Sequence, residues 1–224
     1  MEPLIQFNGV SMSYRAKHQR VDLFTGLNLN IQQGELAILL GPSGSGKTTL
    51  LNLIAGFVKP TSGAILVNGQ NITQYDDFEV CRYRNHYLGY VFQFFNLIYA
   101  FNAADNVLVP LLLAGANKSK ADQRVTELLE QVGMTHRRKH YPGELSGGEQ
   151  QRIAIARALA NSPEIILADE PTGNLDKKNG EIVLDLLHKI NLSGKTVILS
   201  THDHRLVSKA SAVYDMTTLL NQDV

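Results

Sequence analysis

The 224 residues suit one domain, or one core with a smaller appended subdomain. Hydrophobic residues make up 44%, enough for an ordinary globular core, and 21 Lys and Arg balance 21 Asp and Glu. A neutral chain with one cysteine and no apolar run near the roughly twenty residues of a membrane span argues against a general nucleic-acid binder, a disulfide scaffold and a membrane-spanning helix.

Met1–Val10 holds no long apolar region, so no secretory leader is expected there. Leu4–Val10 and Leu23–Ile31 read as strands, the second by alternation. Tyr14 closes a Ser-Met-Ser-Tyr segment after the first, and Ala16–Arg20 reads as a lengthened loop. Glu35–Leu40 is an apolar run of buried-strand length, and Thr48–Ile54 reads as a helix. Between them, Gly41-Pro42-Ser43-Gly44-Ser45-Gly46-Lys47-Thr48 fits G-x-x-x-x-G-K-[ST] without a mismatch. The glycines let consecutive N–H groups turn inward as an anion nest, and the helix N-terminus adds about half a positive charge there. Lys47 can reach the β- and γ-phosphates of a nucleotide, and the Thr48 hydroxyl can ligate Mg²⁺. A plain Gly/Ser turn is the competing reading, and the strand–loop–helix order disfavours it.

Ala64–Val67 is a short strand ending at the Asn68-Gly69 turn, which with the first two strands suggests an antiparallel layer beside the phosphate loop. Glu79–Arg84 is a charged stretch holding Cys81, which reads as structural because no Cys or His ligand pattern accompanies it. Tyr87–Phe92 reads as a core strand ending at the polar Gln93. Between Phe94 and Pro142 the pattern is helical, with Ala103–Ala114 interrupted by Pro110 and then Lys120–Val132. The basic run His136–His140 reads as a solvated loop. Leu145-Ser146-Gly147-Gly148-Glu149-Gln150 then precedes a helix over Gln151–Ala160. Its hydroxyl, bare N–H groups and following helix N-terminus repeat the anion-binding physics of the first loop.

Ile165-Ile166-Leu167-Ala168 suits a parallel strand covered on both faces. Asp169 and Glu170 follow at its carboxyl end, where open α/β sheets place their ligands. Asp169 is placed to hold Mg²⁺ through water, and Glu170 to face the γ-phosphate and its attacking water; an Asp-Glu cap on the next segment is the alternative. Gly173-Asn174-Leu175-Asp176 leads into a helix over Gly180–Ile190, with Asn174 or Asp176 as its cap. Thr196–Ser200 is a core strand with His202 just beyond it. Ala212–Met216 reads as the last strand, and no regulatory domain is expected after it.

The order of the loop at Gly41, then Gln93, then LSGGEQ, then LADEPTGNLD, then His202 resembles the nucleotide-binding subunit of an ATP-binding cassette (ABC) transporter, from about Leu4 to Asp215. The resemblance implies an α/β fold: a P-loop NTPase core with an antiparallel β subdomain (about 1–93 and 164–224) and an inserted α-helical subdomain (about 94–163), all in a single ABC ATPase domain over 1–224. It implies an ATPase with ATP and Mg²⁺ as ligands. ATP contacts then fall on Tyr14, whose ring stacks on adenine, and on Gly41, Pro42, Ser43, Gly44, Ser45, Gly46, Lys47, Thr48 and Thr49. Metal contacts fall on Thr48, Gln93 and Asp169. Glu170 is the base, His202 bonds the γ-phosphate, and Gln93 touches the metal and the attacking water. Leu145, Ser146, Gly147, Gly148, Glu149 and Gln150 clamp the nucleotide of a second copy, and Asn174, Leu175 and Asp176 cross the dimer seam. A surface Gln93, a structural His202 and a strand-edge Tyr14 are the plainer readings of those three.

LSGGEQQR, ADEPTGNLD, Phe92-Gln93 and the later Asn106-Val-Leu-Val-Pro110 are similar to the macrolide-efflux, lipoprotein-release and cell-division branch. That branch implies a homodimer at the cytoplasmic face of the inner or plasma membrane, driving an integral membrane permease with an extracytoplasmic domain and binding no nucleic acid. Its output is export or lipoprotein extraction by transmitted motion, or alternatively control of cell-wall hydrolysis in division. The lengthened loop after Tyr14 favours the efflux and lipoprotein-release members. Phe94-Phe95 follow Gln93 where the partner's groove should lie, and Thr217-Thr218 stand where the family commonly has Asp-Gly.

Overall fold

Three apolar runs set the centre of the molecule. The computed structural model describes residues 2–16 and 19–219. In chain order the strands are β1 (Ile5–Ala16), β2 (Gln19–Ile31), β3 (Leu36–Leu40), β4 (Ser62–Val67), β5 (Gln70–Asn71), β6 (Leu88–Val91), β7 (Ile165–Asp169), β8 (Thr196–Thr201) and β9 (Ala212–Asp215). The helices are α1 (Lys47–Ile54), α2 (Asp77–Tyr87), α3 (Ala103–Leu113), α4 (Lys118–Gln131), α5 (Gly147–Ala158), α6 (Lys177–Leu192) and α7 (Met216–Leu219). Every residue of β3, β7 and β8 is buried, as expected of parallel strands covered on both faces.

These strands form a five-stranded parallel sheet of order β6-β7-β8-β3-β9. Alternation splits their side chains between two cores. Ile38, Ile166, Ala168, Val197 and Leu199 face α3–α6, whereas Ala37, Leu39, Ile165, Leu167 and Ile198 face α1 and the second sheet. That second sheet is antiparallel, of order β2-β1-β4-β5. Each fully buried Leu or Ile contributes about 1.5–3 kcal/mol, so both faces of the site-bearing sheet are firmly anchored. Between β6 and β7 the described residues form helices and short 3₁₀ turns only.

Four local expectations change. Of the Ala16–Arg20 stretch, Lys17 and His18 lie outside the described residues, and on either side of them β1 and β2 prolong their pairing to Tyr14↔Val21, Arg15↔Arg20 and Ala16↔Gln19. Pro110 does not interrupt α3, which runs on to Leu113. It forfeits one backbone bond near the helix end, while Val107 and Leu111 stay buried and hold the turn. The stretch holding Cys81 is a helix, α2, and its thiol is free and exposed rather than structural. The last strand stops at Asp215, because Met216 is buried as the first residue of α7.

Asn106 has no exposed surface, yet its amide is fully engaged. Oδ1 accepts from Ile98 N–H at 2.8 Å, and Nδ2 donates toward Ile98 O (3.1 Å), Phe101 O (3.0 Å) and Asn102 O (3.1 Å). One side chain thus organises the loop leading into α3. Asn106→Leu would strand several of these groups, at about 1–3 kcal/mol each. The expected result is a stability loss of about 3 kcal/mol or more in urea titration. An unchanged midpoint would show that the loop folds without this amide.

Candidate nucleotide site

All strands of the parallel sheet point the same way, so their carboxyl ends share one edge. Val91 lies opposite Ala168, Asp169 opposite Ser200, and Leu40 opposite Thr201. The segments leaving β6, β7, β8 and β3 therefore emerge side by side, carrying Gln93, Asp169 with Glu170, His202 and the Gly41–Thr48 loop.

Gly44 (φ 82°) and Gly46 (φ 88°) take the left-handed backbone the loop needs to curl. Gly46 caps α1 with no side-chain bond, leaving the first N–H groups of the helix without a side-chain acceptor, the arrangement that suits an anion. Ser45 Oγ is buried with no hydrogen-bond partner among the described residues. Lys47 Nζ donates to Gly41 O (2.8 Å) and Pro42 O (2.9 Å), and lies 3.6 Å from Glu170 Oε1. An uncapped helix start, an orphan hydroxyl and a buried ammonium converge at one place, which is what a phosphate requires. Tyr14 Oη sits 3.4 Å from Thr49 Oγ1, and the residue is 43% exposed beside the start of α1.

Asp169 is held from two sides. Thr48 Oγ1 donates to its Oδ1 (3.0 Å) and Oδ2 (2.9 Å), and Ser200 Oγ donates to Oδ1 at 2.6 Å. The chain then enters a left-handed conformation at Glu170 (φ 39°), unusual for a residue with a Cβ. Its N–H donates to Ser200 Oγ (2.9 Å) and Ser200 O (3.2 Å). Ser200 therefore ties the Asp169 carboxylate to the Glu170 backbone, a role its place in a strand run did not advertise. Glu170 Oε2 lies 3.6 Å from His202 Nδ1. A Cβ at Gly173 would lie 3.1 Å from Gln93 Nε2 and 3.5 Å from Glu170 Oε2, which places Gln93 at the same spot. Burial, and next the Asp169 carboxylate, push the Tyr90 phenol far up, so it stays a neutral donor to Asn52 Oδ1 at 3.1 Å. Among the described residues no three His, Cys, Asp or Glu side chains cluster as a self-sufficient metal site. The Thr48–Asp169 hydroxyl–carboxylate pair instead suits an ion that draws its other oxygens from phosphate and water.

The second anion cradle is also built as a helix start. α5 begins at Gly147 rather than at Gln151, and Ser146 is its N-cap. Ser146 Oγ accepts from Glu149 N–H (3.4 Å) while Ser146 N–H donates to Glu149 Oε2 (2.9 Å), a capping box. Burial opposes the Glu149 charge, but bonds from Ser146 and from Arg137 Nε (2.9 Å) outweigh it and hold the carboxyl below its ordinary range. A Cβ at Gly148 would come within 2.4 Å of Asn179 Oδ1, so only glycine lets α5 approach α6 this closely. Gly147 faces Leu175 and Phe95. Asp176, not Asn174, caps α6, accepting from Asn179 N–H at 2.9 Å. Asn174 Nδ2 instead donates to Gln93 O at 3.0 Å. None of these neighbours of Ser146–Gly148 belongs to the Gly41–Thr48 loop.

A cleft of about 840 Å³ lies away from this edge, lined by Tyr75, Tyr83 and Tyr87 among others. Two of its hydroxyls are spent internally, Tyr83 Oη on Ile54 O and Tyr75 Oη on Gln70 Oε1. The chemistry stays at the sheet edge. A phosphate loop after a central parallel strand, an acidic pair after β7 and a polar side chain after each of β6 and β8 define a nucleoside-triphosphate-handling protein of the phosphate-loop class.

Known proteins narrow this further. The ABC transporter family model matches residues 24–173. The lipoprotein-releasing system ATP-binding protein LolD of Geobacter metallireducens is 44% identical over 209 residues, covering 93% of each chain. The macrolide export ATP-binding/permease protein MacB 2 of Aeromonas hydrophila is 42% identical over 95% of this chain, which spans 33% of that one. The dimeric structure of a post-hydrolysis state of the ATP-binding cassette MJ0796, bound to ADP and Pi, superimposes with a TM-score of 0.87 at 38% identity, covering 95% of this chain and 94% of that one. The chain belongs to the ABC transporter family, as an ATP-binding and ATP-hydrolysing subunit.

Proposed function

We propose that two copies close head to tail on two ATP, each nucleotide held between Gly41–Thr49 of one copy and Leu145–Gln150 of the other. The observation that carries this is a pair of helix starts of anion-binding type within one chain, Lys47 at α1 and Gly147 at α5, set among different residues: Gly41 and Pro42 for the first, Phe95, Asn174 and Leu175 for the second. The dimeric form of the MJ0796 cassette supports it. Asn174, Leu175 and Asp176 lie beside the second cradle and would cross the seam with it.

Within each site Lys47 and Ser45 bind phosphate oxygens, and Tyr14 stacks on the base. Thr48, Asp169 and Gln93 hold Mg²⁺, which when bound supplies positive charge against the phosphate oxygens. Glu170 accepts the proton of the attacking water, Gln93 orients that water, and His202 positions the γ-phosphate and the Glu170 carboxylate.

The output passes to a separate membrane subunit with an extracytoplasmic domain, for export or lipoprotein extraction by transmitted motion, with this chain peripheral at the cytoplasmic face. No described helix is long and apolar enough to cross a membrane. The names of the LolD and MacB 2 relatives support the branch. The partner's seat is a groove of about 460 Å³ lined by Phe57, Arg84, Tyr90, Phe92, Leu113 and Arg157. Arg84 lies over the Phe57 ring at 5.1 Å, giving an apolar floor with cationic walls. Phe94 and Phe95 do not line it: Phe94 is 70% exposed and Phe95 packs on the core. The helical segment 94–163 would tilt as a subdomain when the partner moves.

Tagged Glu170→Gln protein, recovered from solubilised native membranes with Mg-ATP, should bring down a few-span permease bearing a large extracytoplasmic domain. A many-span importer-like permease would overturn the branch. Recovery of no membrane protein would overturn the coupling.

A further inference from the structure

Gln151 has no exposed surface, although it is a polar residue in a stretch that reads as an ordinary helix. Its Nε2 donates to Pro171 O at 2.8 Å and to Phe92 O at 3.3 Å. Both neighbours are carbonyl oxygens, so the amide nitrogen must face them. Oε1 is left buried without a hydrogen-bond partner among the described residues, a cost that an apolar side chain of similar size would avoid.

The two carbonyls are not arbitrary ones. Phe92 precedes Gln93, and Pro171 follows Glu170, so one amide ties both site-bearing turns together. Further along the same helix, Arg157 grips the other end of the Gln93 loop, donating to Asn96 O (2.5 Å) and Phe95 O (2.9 Å). Between these anchors Phe95 (φ 62°) and Asn96 (φ 49°) occupy the left-handed region, where a bulky side chain persists only if its surroundings hold it. The helix that supplies both anchors is the one that starts at Ser146.

We infer that Gln151 is a positioning residue for ATP hydrolysis: it fixes Gln93 and Glu170 in one register and links that register to the seating of the Ser146 cradle. The inference rests on the roles proposed above for Gln93, Glu170 and Ser146. A displacement of α5 would drag Phe92 and Pro171 together, so the water-orienting amide and the base would move as a pair.

Gln151→Leu keeps the packing and removes the donor. ATP affinity should be unchanged, because the phosphates are held by Gly41–Thr49, while kcat should fall about tenfold or more from the misplaced groups. Hydrogen exchange should quicken at the amides of 93–97 and stay unchanged at 153–158. Wild-type kcat, or unchanged exchange in the loop, would overturn the inference. Should Gln151→Leu lose protection throughout, Gln151→Glu decides. It presses a carboxylate against two carbonyls, and burial raises its pKa. Its kcat relative to wild type should therefore recover as the pH falls and the carboxyl becomes a donor; a ratio flat with pH overturns the idea. Glu170→Gln and Gln93→Ala run alongside. If both also turn over at the wild-type rate, the reading of the site fails; if they are impaired and the Gln151 variants are not, this inference alone fails.

Discussion

Glu170→Gln is expected to keep ATP, lose turnover and accumulate as an ATP-bound dimer. The geometry makes this a clean substitution. Gln has the same shape, and the strained Glu170 backbone is fixed by Ser200 Oγ and Ser200 O through the Glu170 N–H, which the mutation leaves intact. What is lost is the carboxylate proposed to take the proton from water. Removal of a general base costs typically 10²–10⁴-fold, roughly 3–5 kcal/mol of barrier. The charge change acts in the same direction on binding. Glu170 Oε1 lies 3.6 Å from Lys47 Nζ, so neutralising it frees the ammonium for phosphate and removes a repulsion from the γ-phosphate. Phosphate release would fall to a residual level while ATP titration shows equal or tighter binding. Hydrolysis at the wild-type rate would remove Glu170 from the role of base. His202→Ala should be milder. Its ring is more than half exposed and 3.6 Å from Glu170, so it helps to place the carboxylate rather than to carry the proton.

Much of this site is legible in the chain because its signals are local. β3, the Gly-rich turn and α1 follow one another without interruption, and β3 with the apolar runs Ile165–Ala168 of β7 and Val197–Leu199 of β8 is buried because both faces of the sheet are covered. What stayed hidden is what only tertiary structure assembles. Gln151 lies in a run of polar and charged helix residues, and nothing nearby in sequence says that Phe92 O and Pro171 O will meet it. Ser200 reads as one more strand residue until β7 lies beside β8. α2 was missed because only Tyr83 of its residues is buried, so it has no apolar period to read. Its one available signal was the Asp76–Glu79 capping box just ahead of the charged stretch. The pairing of β1 with β2 beyond Tyr14 is likewise a backbone ladder that Ala16–Arg20 does not announce in sequence. The start of α5 at Gly147 is hard to read in sequence because Gly147 and Gly148 are poor helix formers, whereas the Ser146–Glu149 capping box and the close approach to Asn179 override their propensity.

Ser146→Arg is the second large effect, and it separates binding from closure. In the native chain Ser146 Oγ accepts from Glu149 N–H, which leaves the hydroxyl proton free to donate outward to an anion. Arginine removes that donor, fills the space before Gly147 with a long side chain, and deletes a helix cap worth about 0.5–2 kcal/mol. None of the groups at Gly41–Thr49 contacts this position, so the monomer should bind ATP as before. In the Glu170→Gln background the variant should stay monomeric in size-exclusion chromatography with Mg-ATP, whereas the parent dimerises. In the otherwise native chain ATP hydrolysis should drop to the level of Glu170→Gln. Ser146→Ala supplies the control, since it shares the lost cap without the bulk. If Ser146→Ala melts as low as Ser146→Arg yet still dimerises, the cap is not the cause and the blocked phosphate seat is. A Ser146→Arg protein that dimerises and hydrolyses normally would show that this cradle does not close on the partner's nucleotide.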